Sequence, residues 1–271
     1  MGALTDYAAY KAKVETSIPV ARVVHIVGGL APTSVAWSRA LFTVTPTASV
    51  ATGNTTALGS GSDFGRGLPG TLTNQLWLGK AEIAGSLAIT GGVGGMLVDV
   101  LNISGGMSAI IATDQTTNIP TAALTRYTTG DGVCLALVIW TTIGATATTV
   151  TASYTNQAGT AGRTTKARVF GSSAAAGQVL IMSLQDGDTG VRSVESVTVA
   201  ATTGTAGNFG VMLFKPLSAL PMHQPTHNGV IGYAEGLQAG RMVEVLPNAC
   251  LTTLMKYGSG ASVASLNLIE A

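Results

Sequence analysis

The sequence predicts a mainly β protein, a β-sandwich of the jelly-roll or Greek-key kind, and three observations carry that expectation. Runs of β-branched and apolar residues recur along the chain, Gly, Pro, Asn and Asp divide them at short intervals, and threonine fills much of what lies between. Between residues 124 and 217 the runs become regular. About six strand candidates fall within about ninety residues there, which is the spacing of a Greek-key sandwich or jelly roll.

The elements follow in order. Residues 1–18 predict a short helix: Thr5 or Asp6 supplies the cap, and Tyr7, Tyr10, Lys11 and Val14 recur at spacings of three and four before Pro19 ends it. Strands are then expected over 20–27 and 35–44, punctuated by Gly28-Gly29, Pro32 and Pro46. Residues 46–75 are Thr, Ser, Gly and Asn with Asp63 and Arg66 as the main charges, too little apolar material to nucleate a core, and predict a long excursion arm. Strands 76–90 and 96–103 follow, separated by the glycine-rich turn that starts at Gly91, and a further run over 105–112 leads to a polar turn at Asp114 and Asn118. The regular set comprises 133–142, 146–155, 164–170, 178–184, 191–200 and 208–214. The tail adds runs that include 242–246 and 249–256. This order predicts two β subdomains: residues 19–120 with 218–271 form the first, arm included, and 121–217 form an inserted sandwich.

Composition narrows the function. Only 10% of the 271 residues are charged, against roughly 25% in an average soluble domain, so Thr, Ser, Gly and Ala must cover the surface. Long charged side chains resist interface burial because they lose rotamer freedom and hydration, and a surface short of them suits assembly. A soluble sandwich whose threonines simply favour strands is the alternative. The net charge of +1, without a Lys or Arg block, gives counterion release little to act on, so no direct nucleic-acid contact is expected. The opening residues carry Asp6 and Glu15 and no basic-then-apolar pattern, and are not expected to be a secretory signal. The run 133–140 is too short to cross a bilayer, and no membrane partner is expected. Cys134 and Cys250 are expected to be two buried thiols in a reducing cytosol, a bridge being the alternative.

The stretches VTASYTNQAGTAGRTT from Val150, GDTGVRSVESV from Gly187 and TAGNFGVMLFKPL from Thr205, with TNQLWLGKAEIAG from Thr73 and ALTRYTTGDGV from Ala123, resemble virion structural proteins of tailed bacteriophages. The resemblance covers much of residues 70–217. It implies a particle component of the head, neck or tail, with copies of itself and other virion proteins such as the major capsid protein as partners, and it brings no functional residues with it.

His223 and His227 have the i, i+4 spacing of a helical zinc pair, but Pro221 and Pro225 interrupt the helix and no glutamate follows His223. His25 sits in an apolar run as a strand histidine. Asp186 and Asp188 flank Gly187 as in calcium loops, yet Thr189, Gly190 and Val191 occupy the next ligand positions; a glycine turn whose aspartates bond the backbone is the expected reading. Gly91, Gly92, Gly94 and Gly95 lack the Gly-Lys-Ser/Thr of a phosphate loop. Cys134 lies in an apolar strand and no serine has a nucleophile-elbow setting, so no catalysis is expected. Arg163, Lys166 and Arg168 are expected as solvated loop and edge charge. The sequence therefore predicts no catalytic, cofactor or metal site. The leading expectation is a structural virion protein, a capsid decoration or cement subunit or a neck or tail component. The alternative from another class is a receptor- or carbohydrate-binding sandwich, which the placement of Trp37, Trp77 and Trp140 in apolar runs disfavours.

Overall fold

The computed structural model describes residues 21–29, 38–40, 66–67, 76–85, 93–222, 229–235, 243–256 and 261–270, with side chains described for 76–78, 95–219 and 243–254. The 1–18 helix, nearly all of the 46–75 arm, Trp37, His223 and His227 lie outside them. The described residues are all β. In chain order the strands are β1 Ala21–Gly29, β2 Ser38–Ala40, β3 Arg66–Gly67, β4 Leu76–Gly85, β5 Val93–Ile103, β6 Asp114–Gln115, β7 Cys134–Thr141, β8 Thr148–Asn156 and β9 Arg163–Thr164. They continue with β10 Arg168–Phe170, β11 Gln178–Ile181, β12 Val191–Val199, β13 Asn208–Met222, β14 Gly229–Glu235, β15 Val243–Val245, β16 Cys250–Lys256 and β17 Ala261–Glu270.

Three antiparallel sheets result. The first has the order β1-β17-β4-β14, with β15 also on β4; the second runs β10-β8-β12-β6, with β9 on β8; the third runs β2-β11-β7-β13-β5-β16-β3. In the third, β2 pairs with β16 as well as with β11, so six strands return on themselves. This sheet draws β7 and β11 from the 121–217 segment and β2, β3, β5 and β16 from the flanking segments, while β13 crosses position 217 without interruption.

Burial explains the layering. β7 reads CLALVIWT and is buried at every position but its ends, the continuous apolar run of a strand covered on both faces. Leu135, Leu137 and Ile139 join Phe209, Val211 and Leu213 of β13 in a core shared with Val150, Ala152 and Tyr154 of β8 and Val194, Val197 and Val199 of β12. The second and third sheets thus pack face to face, and the ring of Phe170 meets that of Phe209 edge-on at 5.0 Å. On the other face of the third sheet, Ala136, Val138 and Trp140 pack with Val98, Val100, Met212, Phe214 and Leu254.

Three local expectations need correction. The glycines from Gly91 were read as a turn between strands, but Val93, Gly94 and Gly95 belong to β5 and pair with Met222, Pro221 and Leu220 of β13. A long partner strand supplies the ladder that glycine's weak strand preference does not. The strand expected over 164–170 is broken into β9 and β10. Thr165 leaves the pattern: its N–H donates to the Ala152 carbonyl at 3.0 Å, and its Oγ1 accepts from the Ala152 N–H at 3.0 Å, the local competition threonine offers a ladder. The run 105–112 contributes only the isolated bridge between Met107 and Phe209. In β8, Val150, Ala152, Tyr154 and Asn156 are buried and the alternate threonines and Ser153 are partly or fully exposed.

Candidate functional site

Two polar clusters and one loop-built end organise the described sandwich. At one end, β8, β9 and the loop 185–190 bring Asp188 into a set of side-chain bonds. Arg163 donates to it twice, from Nε at 2.9 Å and Nη2 at 3.2 Å, Asn156 donates at 2.7 Å and the Tyr154 hydroxyl at 2.5 Å. The Tyr154 hydroxyl in turn accepts from the Gln185 N–H at 2.9 Å. Only 3% of the Asp188 side chain is exposed. The Arg163 guanidinium, then the Tyr154 hydroxyl, hold its carboxyl down at about 2, while burial and the Asp188 hydrogen bond push the Tyr154 phenol up. Asp188 and Tyr154 thus tie the loop 185–190 to β8 and β9.

This geometry revises the reading of the acidic turn. Asp186 and Asp188 do not converge: Asp186 meets Lys166 at 2.5 Å on the exposed surface, and both aspartates bond side chains where backbone bonds were expected. Arg163 and Lys166 are each paired with an acid, whereas Arg168 stands in β10 opposite Val150. On the same sheet Glu195 accepts from Ser153 Oγ at 2.7 Å, Thr155 Oγ1 at 2.5 Å and the Gly162 N–H at 3.2 Å. Among the described residues no group of three or more metal-ligating side chains comes together.

The second cluster was missed from sequence. Asp99 of β5 and Arg126 form an ion pair with side chains 0% and 6% exposed. Nε and Nη2 of Arg126 each donate to a different Asp99 oxygen at 2.8 Å, and the Cys250 N–H donates to Asp99 at 2.9 Å. Burial raises the Asp99 carboxyl above its ordinary value against the opposing pull of Arg126. Asp99 interrupts the apolar run MLVDVLNI; a lone charge in such a run demands a buried partner, and that is the signal the sequence offers. Burial, then the negative charge of Asp99, pushes the Cys250 thiol up to about 12, and burial raises Cys134 against the pull of Lys215. Both cysteines are free thiols, Cys250 buried and Cys134 half-buried. Trp77 and Trp140 are both buried. His25 lies in β1 opposite Ser265.

At the opposite end of the sandwich, four loops meet: 108–113, 142–147, 171–177 and 200–207. None contains a charged residue. Backbone bonds stitch them together, Ala109 N–H to the Ala206 carbonyl at 2.7 Å, Thr203 N–H to Ala109 at 3.0 Å, Thr146 N–H to Thr203 at 3.1 Å, and Ser173 N–H to Gly144 at 3.0 Å. Ile110 and Ile111 stand out from this end at 46% and 44% exposure. A groove of about 630 Å³ lies to the side, floored by Ile119, Pro120, Leu124 and Val194 with Arg192 and Glu195 at its rim.

No family model matches the chain, and no curated protein matches it. Among solved structures, the infectious bursal disease virus VP2 subviral particle aligns at 10% identity over 93% of this chain and 80% of that one, with a TM-score of 0.22. Infectious bursal disease virus of the Gt strain aligns at 11% identity over 93% and 82%, with a TM-score of 0.18. Alignments at this level establish no common fold.

Proposed function

We propose that this chain is a non-enzymatic structural component of a tailed-phage virion, a capsid decoration or cement subunit that packs against copies of itself and the major capsid protein, with a neck or tail component as the second placement. The observation that carries the reading is how the few charges are spent. Asp99 and Arg126, Arg163 and Asp188, and Lys166 and Asp186 are paired within the fold, Arg192 donates to the Thr129 and Gln157 carbonyls and Lys215 to the Asp131 carbonyl. Much of what is left outward is Thr, Ser, Ala and Gly, which buries against a neighbour with little desolvation penalty. The resemblance of the segments from Val150, Gly187 and Thr205 to phage virion proteins supports the same role. In this reading the two packed sheets are a rigid body of the jelly-roll or Greek-key class, and the protein is assembled in the host cytoplasm.

The test is cryo-EM of purified particles together with mass spectrometry of their proteins. Density for the chain repeated over the capsid lattice supports decoration, density confined to the portal axis or tail moves it to the neck or tail, and absence of the chain from particles overturns the virion role. The side groove favours one competing reading, a carbohydrate-binding module. Saturable binding on a glycan array that is lost with Arg192→Ala or Glu195→Ala supports that competitor.

A further inference from the structure

We propose that the charge-free end is where two copies of this chain meet, the end of one against the same end of the other across a two-fold axis. The inference rests on the packing role proposed above and names its surface and partner. Its first support is charge. Pressing a charged face onto loops that hold no countercharge strands desolvated ions, so the occupant must itself be uncharged there. Of the two ends of the described sandwich, one carries Asp131, Asp186 and Asp188 within its loops, with Arg163 and Arg192 beside them, and the four loops of the other carry no charge, with Asp114 and Arg39 beside them. Head-to-tail stacking would bury the first against the second. Head-to-head stacking presses two sets of uncharged loops together, and it is isologous, so it closes as a dimer. Of the charges beside these loops, Asp114 already accepts from Thr198 Oγ1 at 2.5 Å on the β6 edge, and Arg39 stands in β2 opposite Gln178.

The second support is rigidity. An interface built on loops normally loses affinity to the ordering of those loops. Here the backbone bonds among Ala109, Thr146, Ser173, Thr203 and their partners fix the four loops in advance. Close approach enforces the same arrangement, because a side chain at Gly144 would lie 1.8 Å from the Thr203 carbonyl and one at Gly171 2.2 Å from that of Thr146. Ile110 and Ile111 are the apolar anchors that such an interface places at its centre.

The experiment uses the full chain in a Cys134→Ser background. Sedimentation velocity reads the dimer, and variants with one cysteine added at an exposed position of either end, Ala112→Cys or Ala161→Cys, beside the buried Cys250, read its geometry under mild oxidation. Expected are a dimer, Ala112→Cys homodimers that form at least roughly tenfold faster than Ala161→Cys homodimers, and a dissociation constant raised roughly thirtyfold or more by Ile110→Asp with Ile111→Asp. Near-ultraviolet circular dichroism matching the parent establishes that the aspartate variant is folded. A chain that stays monomeric with no Ala112→Cys cross-link overturns the inference, as does cross-linking only between Ala112→Cys and Ala161→Cys in a mixture, or a dimer indifferent to the aspartates. Incorporation of the wild-type chain into particles is scored separately. Particles that contain the chain alongside a failed cross-link reject this interface alone, and a cross-linked dimer absent from particles rejects the virion role alone.

Discussion

Arg126 grips Asp99 through two bonds of 2.8 Å to its two carboxylate oxygens, in a site where neither side chain is more than 6% exposed. Arg126 lies in the segment that leads toward β7, while Asp99 is central to β5 and also accepts the N–H of Cys250 at the start of β16. One ion pair therefore joins three parts of the chain that are distant in sequence.

Removing one partner leaves the other as an unpaired buried charge. Arg126→Ala is expected to destabilise by about 3–5 kcal/mol in urea titration, and Asp99→Asn combined with Arg126→Met should recover much of that loss. A single variant within about 0.5 kcal/mol of wild type would contradict the pairing.

Acid should act through Asp188. Its folded carboxyl is held at about 2, below the roughly 3.9 of an unfolded aspartate. The folded state thus binds fewer protons in that window, and the stability this group contributes is complete above about pH 4 and is lost as pH falls through about 2. The stability difference between wild type and Asp188→Asn, followed by thermal melts from pH 6 downward, should shrink toward pH 2 and stay level above pH 4.

Trp140 donates its indole N–H to the Ser104 carbonyl at 2.7 Å. Trp140→Phe keeps an aromatic ring but strips that carbonyl of its donor in a buried place, and should cost about 1–3 kcal/mol of stability. Ser104→Ala, which keeps the carbonyl and loses only the hydroxyl acceptor for the Val211 N–H, should leave near-ultraviolet dichroism of the tryptophan unchanged.

Gly144 is held against the Thr203 carbonyl, with no room for a methyl group. Gly144→Ala should destabilise by about 1–3 kcal/mol through overpacking, whereas Gly187→Ala fills open space and strains only a turn with φ of 89°. Chemical denaturation of the two variants side by side tests the contrast.

The thiols give a kinetic check. With Cys250 buried and pushed up to about 12, alkylation with iodoacetamide at pH 8 should spare it in the native chain and reach it in denaturant. Peptide mass mapping of the two samples reads the difference.

The β class was legible because strand chemistry is local. The β7 run is apolar throughout since both of its faces are covered, and β8 alternates since one face is not. What stayed hidden depended on partners. Val93 to Gly95 look like a turn until β13 lies beside them, and β13 itself reads past Pro216 because its pairing with β7 stops at Phe214, so the missing proline N–H is not required on that side. The Asp99 and Arg126 pair and the Asp188 cluster join residues 27 and 25 positions apart, and no short window contains both members. The charge-free end is spread over four loops that the topology alone brings together.

The return of the third sheet onto itself has a consequence for how the chain is made. β16 slots between β5 on one side and β2 and β3 on the other, so the sheet acquires its last member from residues 250–256. A ribosome that has delivered only the first 220 residues presents β5 with an open row of amides and carbonyls, the template on which nascent chains pair wrongly. Once β16 is in place that template is gone, because β5 is then paired with β13 on one side and β16 on the other.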